Sequence, residues 1–297
     1  MMNRRGFFKW LGGLALSGVA VTGYAFGIEP GFLLRVQRYA LTPPGWPSGF
    51  KLRIAALADI HAAEPYMGRA RLKRIVAAAN ALEPDLTLLL GDYATGHRFV
   101  TQRIPVADIA AALKDLSAPL GVHAILGNHD WWDDKAAQKR SAGPSLYRAA
   151  LEAQGLPVYE NDGVRLEHRG KPFWLLGLGD QVAFIKGRGH FKGIDDLPAT
   201  LAKVTDDAPI ILMIHEPDAF TEVPARVSLT LAGHTHGGQV RLFGYSPVVP
   251  SAYGNRFAYG HVVENDRHLI VSGGLGCSIL PVRFGVPPEI VLIELGT

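Results

Sequence analysis

The sequence predicts an α/β protein built as a four-layer α-β-β-α sandwich, two mixed β-sheets flanked by helices. Three observations carry that expectation. Five short aliphatic runs, at 52–58, 85–90, 122–126, 209–214 and 227–232, are largely continuous in apolar residues, as strands buried on both faces are. Stretches of helical period separate several of them, and strands alternating with helices make a layered α/β fold. Further strand-like runs at 165–168, 173–178, 268–272 and 289–294 supply enough strands for two packed sheets.

The elements follow in chain order. The first nine residues hold Arg4, Arg5 and Lys9 and no acid, and the nineteen residues 10–28 carry no charge. A basic start before an apolar stretch is the order of a targeting element, not of a folded first helix. Asn3-Arg4-Arg5-Gly6-Phe7-Phe8-Lys9 resembles a twin-arginine export signal. The same stretch is just long enough to span a bilayer once. Gly18-Val19-Ala20 and Gly23-Tyr24-Ala25 offer small residues at cleavage-like spacing without a clean Ala-x-Ala, so residues 1–28 are read as a signal or a membrane anchor. The expected localisation is export by the twin-arginine machinery, to a periplasmic or extracytoplasmic place or to an anchored position on the cytoplasmic membrane. Residues 29–50, with Pro30, Pro43, Pro44 and Pro47, form an irregular or strand-like lead-in, and one main domain occupies 51–297.

Within that domain, residues 69–82 place Leu72, Ile75, Val76, Ala79 and Leu82 near a 3.6-residue period, and Pro84 ends the helix. The pattern recurs at 106–116. It recurs again at 146–154, where Gly155 is the stop signal. After Trp131 the periodicity loosens as far as Ser145, a segment placed to overhang the strand ends.

Charge and cysteine content exclude several functions. Lys and Arg number 30 against 27 Asp and Glu, and removing Arg4, Arg5 and Lys9 leaves 27 against 27. A neutral main domain has no field for backbone-driven nucleic-acid binding. The single cysteine, Cys277, forms no internal disulfide, and its Gly-rich apolar surroundings read as a small buried residue.

The chemistry sits directly behind the strands. Asp59-Ile60-His61, Gly91-Asp92, Gly127-Asn128-His129-Asp130, His215 and Gly233-His234-Thr235-His236-Gly237 each follow one of the five aliphatic runs. Ligands in layered α/β folds collect beyond the carboxyl ends of strands, so five loops converge on one rim. If the segment holding His234 and His236 is extended, both imidazoles point the same way. Asp59, His61, Asp92, Asn128, His215, His234 and His236 form a mixed oxygen and nitrogen set without thiolates, suited to two divalent metal ions such as Mn, Fe, Zn or Ni. Seven groups exceed what one tetrahedral ion needs, and a pair of ions would use them all if Asp92 bridged.

The ordered set Asp-x-His, Gly-Asp, Gly-Asn-His-Asp, His and Gly-His-Thr-His resembles the calcineurin-like metallophosphoesterases over residues 52–294. The resemblance implies a first metal held by Asp59, His61, Asp92 and His236, and a second by Asp92, Asn128, His215 and His234. It makes His129 the catalytic histidine, stabilising the transition state or protonating the leaving oxygen. The reaction implied is hydrolysis of a phosphodiester or phosphomonoester by a metal-bridging hydroxide, with a phosphorylated small-molecule or lipid-linked substrate.

Departures from relatives narrow this. Protein serine/threonine phosphatases continue the second motif as Gly-Asp-x-x-Asp-Arg-Gly, whereas Thr95 and Gly96 stand here; a phosphoprotein substrate loses support, and the usual carboxylate partner of the histidine is not evident. Purple acid phosphatases place a tyrosine three after the aspartate, where this chain has Thr95, which disfavours a coloured ferric centre. His215-Glu216-Pro217-Asp218, the segment 233–239 and Pro281-Val282-Arg283-Phe284 resemble a bacterial branch of twin-arginine-exported phosphoesterases that includes UDP-2,3-diacylglucosamine hydrolases of lipid A synthesis. That hydrolase is the second reading, and a non-catalytic metal-dependent binder of phosphorylated envelope polymers is a third from another class.

Lesser candidates complete the reading. Trp131 and Trp132 serve equally as cleft lining or packing. Arg283 is either a bidentate phosphate holder or half of a structural salt bridge, and Asp130 and Asp180 support the ligands. His97, His123, His168, His190, His261 and His268 are read as surface or strand residues, with His97 alone placed to reach a substrate.

Overall fold

A computed structural model describes residues 4–297. Its first large sheet has five strands in the order β1 (Arg35–Leu41), β11 (Glu289–Leu295), β2 (Leu52–Leu57), β3 (Leu86–Leu90) and β4 (Val122–Ile125). The β11–β2 pair is antiparallel and the others are parallel. The second sheet has six strands, in the order β9 (Gly260–Glu264), β10 (Arg267–Val271), β8 (Leu229–Ala232), β7 (Ile210–Met213), β6 (Lys171–Gly177) and β5 (Asp162–His168). Its two outer pairs are antiparallel and its inner pairs parallel.

The two-residue alternation of a strand explains why these runs are apolar throughout. In β2, Leu52, Ile54 and Ala56 enter the core between the sheets, while Ala55 and Leu57 enter the core beneath the helices. In β7, Ile211 and Met213 face the inter-sheet core, and Ile210 and Leu212 the far side. Helices α2 (Arg69–Asn80), α3 (Val106–Leu113) and α6 (Leu146–Glu152) cover the first sheet. The second helical layer is thinner: Leu197–Leu201 and single 3₁₀ turns at Pro217–Glu222 and Gly254–Phe257 cover the outer face of the second sheet.

Some boundaries depart from the sequence reading. The lead-in 29–50 contains a helical turn, Glu29–Phe32, and the edge strand β1, registered Arg35 to Glu289 through Leu41 to Leu295. Residues Arg4–Gly23, expected to be a targeting element and not a folded helix, form helix α1. Despite five glycines in Arg4–Gly23, a mostly apolar stretch satisfies its own backbone hydrogen bonds as a helix. The base of this helical segment is tied to the domain. Arg71 Nη2 donates to Leu33 O at 2.9 Å, Arg283 N to Ala25 O at 2.9 Å, and Gly285 N to the buried Glu29 carboxylate at 3.1 Å. Among the described residues, no helix is long and apolar enough to cross a membrane.

The segment after Trp131 is ordered into α4 (Asn128–Trp132), α5 (Lys135–Arg140) and α6. Beside them the chain adds a two-stranded hairpin, Phe184–Gly187 with His190–Lys192, that the sequence reading lacks.

Candidate metal centre and active site

The first, second and third motifs leave β2, β3 and β4 at their carboxyl ends, and His215 and the fifth motif leave β7 and β8 likewise, so both sheets contribute to one rim. Backbone conformation brings the side chains inward. Asp59, His61, Asp92, His234 and His236 all have positive φ, between 46° and 69°, a region where Asp and His are tolerated better than most residues but still at a cost of about 1 kcal/mol or more each. This corrects the expectation for His234 and His236. They do not lie on one face of an extended segment, because the chain turns immediately after β8, Gly233 and Gly237 flanking the reversal. The two imidazoles therefore go to different places.

His236 joins Asp59 and His61. The Nε2 atoms of His61 and His236 lie 3.0 Å apart, and Asp59 Oδ1 is 3.7 Å from His236 Nε2. His234 turns to the other side, where its Nδ1 is 3.0 Å from Asn128 Oδ1 and its ring stands 5.2 Å from that of His215. Asp92 lies between the groups. Its Oδ2 is 3.5 Å from His61 Nε2 and 3.3 Å from His215 Nε2. All seven predicted ligand residues thus fall into two clusters sharing Asp92, and all but the partly buried His234 are fully buried.

The remaining bonds orient the donors. His61 Nδ1 is held by Ala94 O at 2.6 Å and His215 Nδ1 by Leu90 O at 2.7 Å. Each ring must carry its proton on Nδ1, which leaves Nε2 a lone pair aimed at the centre. Asp59 Oδ1 accepts from His234 N and Asp92 Oδ1 from His129 N, both at 2.8 Å. Asp59 Oδ2 and His215 Nε2 are buried without a hydrogen-bond partner among the described residues, and the Nε2 atoms of His61 and His236 meet at 3.0 Å across the first cluster. Buried orphaned donors converging in this way fit a pair of divalent cations.

Electrostatics agrees. Burial lowers His61 to about 3, His236 well below its ordinary value and His234 in the same direction, so these imidazoles are neutral and free to ligate. Burial raises Asp59 to about 7, a shift that a neighbouring cation reverses. Burial alone would raise Asp92 too, but the imidazoles of His215, His129 and His61 hold it well below the carboxylate range. Burial would lower His215, yet the Asp92 carboxylate overrides it and raises that imidazole well above its usual value; metal binding displaces such a proton.

His129 does not join either cluster. Its ring stands 5.0 Å edge-on from His61 and 5.1 Å from Trp132, and its Nε2 is 3.4 Å from Ser278 Oγ. Ser278 is the hydroxyl neighbour of a histidine whose carboxylate partner was not evident in the sequence, and nothing in the sequence places it there. His129, Trp132 and Ser278 line a cleft of about 630 Å³ with Asp92, Asn128, His234 and His236 among the residues at its walls. The rest of its lining, including Val240, Val248, Ile279, Leu280 and Val282, is largely apolar.

The other candidates separate cleanly. Trp132 lines the cleft, whereas Trp131 is core. Asp130 supports the site: Oδ1 accepts from Tyr93 N and Ala94 N, and Oδ2 from Asp92 N and Gly127 N, at 2.8–3.0 Å. Arg283 does not line the cleft and forms no salt bridge among the described residues. It is fully buried and donates to the carbonyls of Gly273, Gly276 and Val286, with Nη2 3.3 Å from His236 Nδ1. Asp180 sits beside Glu216, and burial and that neighbour raise it well above the carboxylate range. Glu216 itself is a residue the sequence reading passed over: its carboxylate lies within ligand range of His215 and His234. His97 is buried away from the cleft, accepting from Phe99 N.

Comparisons with known proteins agree with the motif order. The family model of the calcineurin-like phosphoesterases matches residues 52–238. The chain is 31% identical to an uncharacterised metallophosphoesterase of Bacillus subtilis (strain 168), YkuE, over 99% of this chain and 98% of that protein. It is 26% identical to phosphodiesterase YaeI of Escherichia coli (strain K12), over 99% and 100% of the two chains. It is also 30% identical to a Bos taurus transmembrane protein with a metallophosphoesterase domain, over 84% of this chain and 54% of that protein. Among solved structures, a dimetal phosphatase from Danio rerio superposes with a TM-score of 0.41 at 14% identity, over 75% of this chain and 88% of that one. With its family model spanning the five motif loops and a relative matching end to end, the chain belongs to the calcineurin-like phosphoesterases, hydrolases of phosphoric esters.

Proposed function

We propose that this protein is a dinuclear-metal phosphodiesterase. The observation that carries the reading is Asp92 Oδ2, placed 3.5 Å from His61 Nε2 and 3.3 Å from His215 Nε2, where one carboxylate oxygen serves both clusters. Asp59, His61, His236 and Asp92 would hold one divalent ion, and Asn128, His215, His234 and Asp92 the other. Mn, Fe, Zn and Ni all suit such donors. Bound there, the ions supply the positive charge that activates water and neutralises phosphate oxygens. The protein's own share is orientation and proton movement. Burial lowers the His129 pKa, which favours the neutral imidazole, and Ser278 Oγ lies 3.4 Å from its Nε2 beside the cleft. The phosphodiesterase named among its relatives supports a diester over a monoester.

The apolar cleft lining favours a second reading, a lipid-linked substrate such as UDP-2,3-diacylglucosamine. Twin-arginine export of residues 1–28, as a cleaved signal or retained anchor, is proposed on Arg4, Arg5 and the uncharged stretch that follows. An extracytoplasmic location would count against the nucleotide-linked lipid, whose synthesis is cytoplasmic.

The test is hydrolysis of bis-(p-nitrophenyl) phosphate and p-nitrophenyl phosphate by the full chain, metal-stripped and then reloaded with manganese. Manganese-dependent cleavage of the diester is expected, and His129→Ala should lower kcat by roughly 10²–10⁴-fold with metal content unchanged. Turnover unaffected by His129→Ala would contradict the assigned role.

A further inference from the structure

The main domain is neutral on average, but its charge is not evenly spread. The hairpin of Phe184–Gly187 and His190–Lys192 carries Lys186 and Lys192 on its strands and Arg188 in its turn, and helix α5 beside it carries Lys135, Lys139 and Arg140. No acid occurs in residues 135–143 or 183–193. All six cations are exposed, and none forms an ion pair among the described residues. The two elements are joined. Ile185 N donates to Gln138 Oε1 at 3.0 Å, and Lys186 Nζ to Ser141 Oγ at 2.6 Å.

Two bulky apolar side chains stand among these cations. Ile185 is 51% and Phe191 43% exposed, a cost that a purely electrostatic surface has no reason to bear. Phe191 also fixes where the patch lies. Its ring stacks on Trp132 at 5.3 Å, and Trp132 packs against His129 at 5.1 Å and lines the cleft. The cationic face therefore borders the mouth of the candidate active site, whose further wall is the apolar segment Ile279–Val282.

We propose that the hairpin and helix α5 dock the protein on an anionic lipid surface beside its active-site cleft. Six unpaired cations complement an acidic leaflet, where each basic residue near the surface contributes about 1 kcal/mol. Ile185 and Phe191 enter the interfacial layer as apolar anchors do. A soluble polyanion would satisfy the cations but leave those two side chains in water. The inference concerns where the cleft is presented. It depends on the phosphoesterase reading only for what happens after docking.

The experiment is flotation of the full chain with phosphatidylcholine vesicles, with and without about one-third phosphatidylglycerol. It is repeated for Lys186→Glu/Arg188→Glu/Lys192→Glu, for the milder triple Gln variant and for Ile185→Ser. The residues altered are exposed, and α1 is common to all samples, so its own lipid affinity cancels in the comparison. The partition coefficient on anionic vesicles is expected to exceed that on neutral ones, to fall about tenfold or more in the Glu variant and less in the Gln variant. High salt should weaken it, and Ile185→Ser should lower it on vesicles while sparing binding to soluble polyphosphate. Equal partition onto neutral and anionic vesicles, or an unchanged Glu variant, would overturn the proposal. Polyphosphate binding that matches vesicle binding and ignores Ile185→Ser would overturn it in favour of a polyanion site. Metal content and diester hydrolysis, measured on the same samples without vesicles, separate failure of docking from failure of the phosphoesterase reading.

Discussion

At the residue scale the site depends on one acid that touches no substrate. Asp130 receives four backbone amides, from Asp92, Tyr93, Ala94 and Gly127, and so fixes the left-handed turn that carries Asp92. In Asp130→Asn an amide group would face two of those donors. The variant should lose about 2–3 kcal/mol of stability, read as a melting temperature lower by roughly 5 °C. An unchanged melting point would contradict the cradle. That the seven candidate ligands and His129 would gather at one rim was legible in the sequence, because each follows an aliphatic run. Their backbone was not: positive φ at Asp59, His61, Asp92, His234 and His236 is imposed by packing around the centre, and alternation along a strand put His234 and His236 together when they part. Ser278 and Glu216 escaped notice for a related reason. Ser278 reaches His129 from 149 residues away, and Glu216 looks like an ordinary acid until the fold sets it beside His234.

At the element scale, loops from two sheets must approach closely enough to share one carboxylate. At Gly127, in the turn before α4, that approach leaves no room for a side chain. A Cβ there would lie 2.4 Å from Asp92 Oδ1 and 2.5 Å from His215 Cε1, with no flexible chain end able to yield. Gly127→Ala should therefore displace Asp92 or His215 and lower bound metal to one ion per chain or fewer by elemental analysis, while the far-ultraviolet circular dichroism stays that of the native fold. Full metal content in this variant would show that the loops tolerate a wider gap. Central strands such as β2, β3 and β7 announced themselves by largely continuous apolarity. The edge strands β1 and β9 did not, since Arg35–Leu41 and Gly260–Glu264 mix polar and apolar residues and leave several side chains in solvent. The hairpin 184–192 was hidden by its charge and glycines, which read as loop.

For the whole molecule, a metal pair bound as proposed would help hold the two sheets in register at their carboxyl ends. Asp59 and Asp92 bring buried carboxylates from the first sheet, and His215, His234 and His236 bring imidazoles from the second. Cations that bind only the folded chain stabilise it by about 4 kcal/mol at a thousandfold excess over Kd, so chelation should lower the melting temperature and manganese should restore it. The charge ledger shows what averaging conceals: 27 cations against 27 acids beyond residue 9 still leaves six cations without an ion pair among the described residues on one face beside the cleft. The measurement that tests the central claim most directly is calorimetric titration of manganese into the metal-stripped full chain and into Asp92→Ala. Two ions bound per wild-type chain, and both lost in Asp92→Ala, are the predicted result; a single ion, or two ions retained without Asp92, would contradict a shared carboxylate between paired metals.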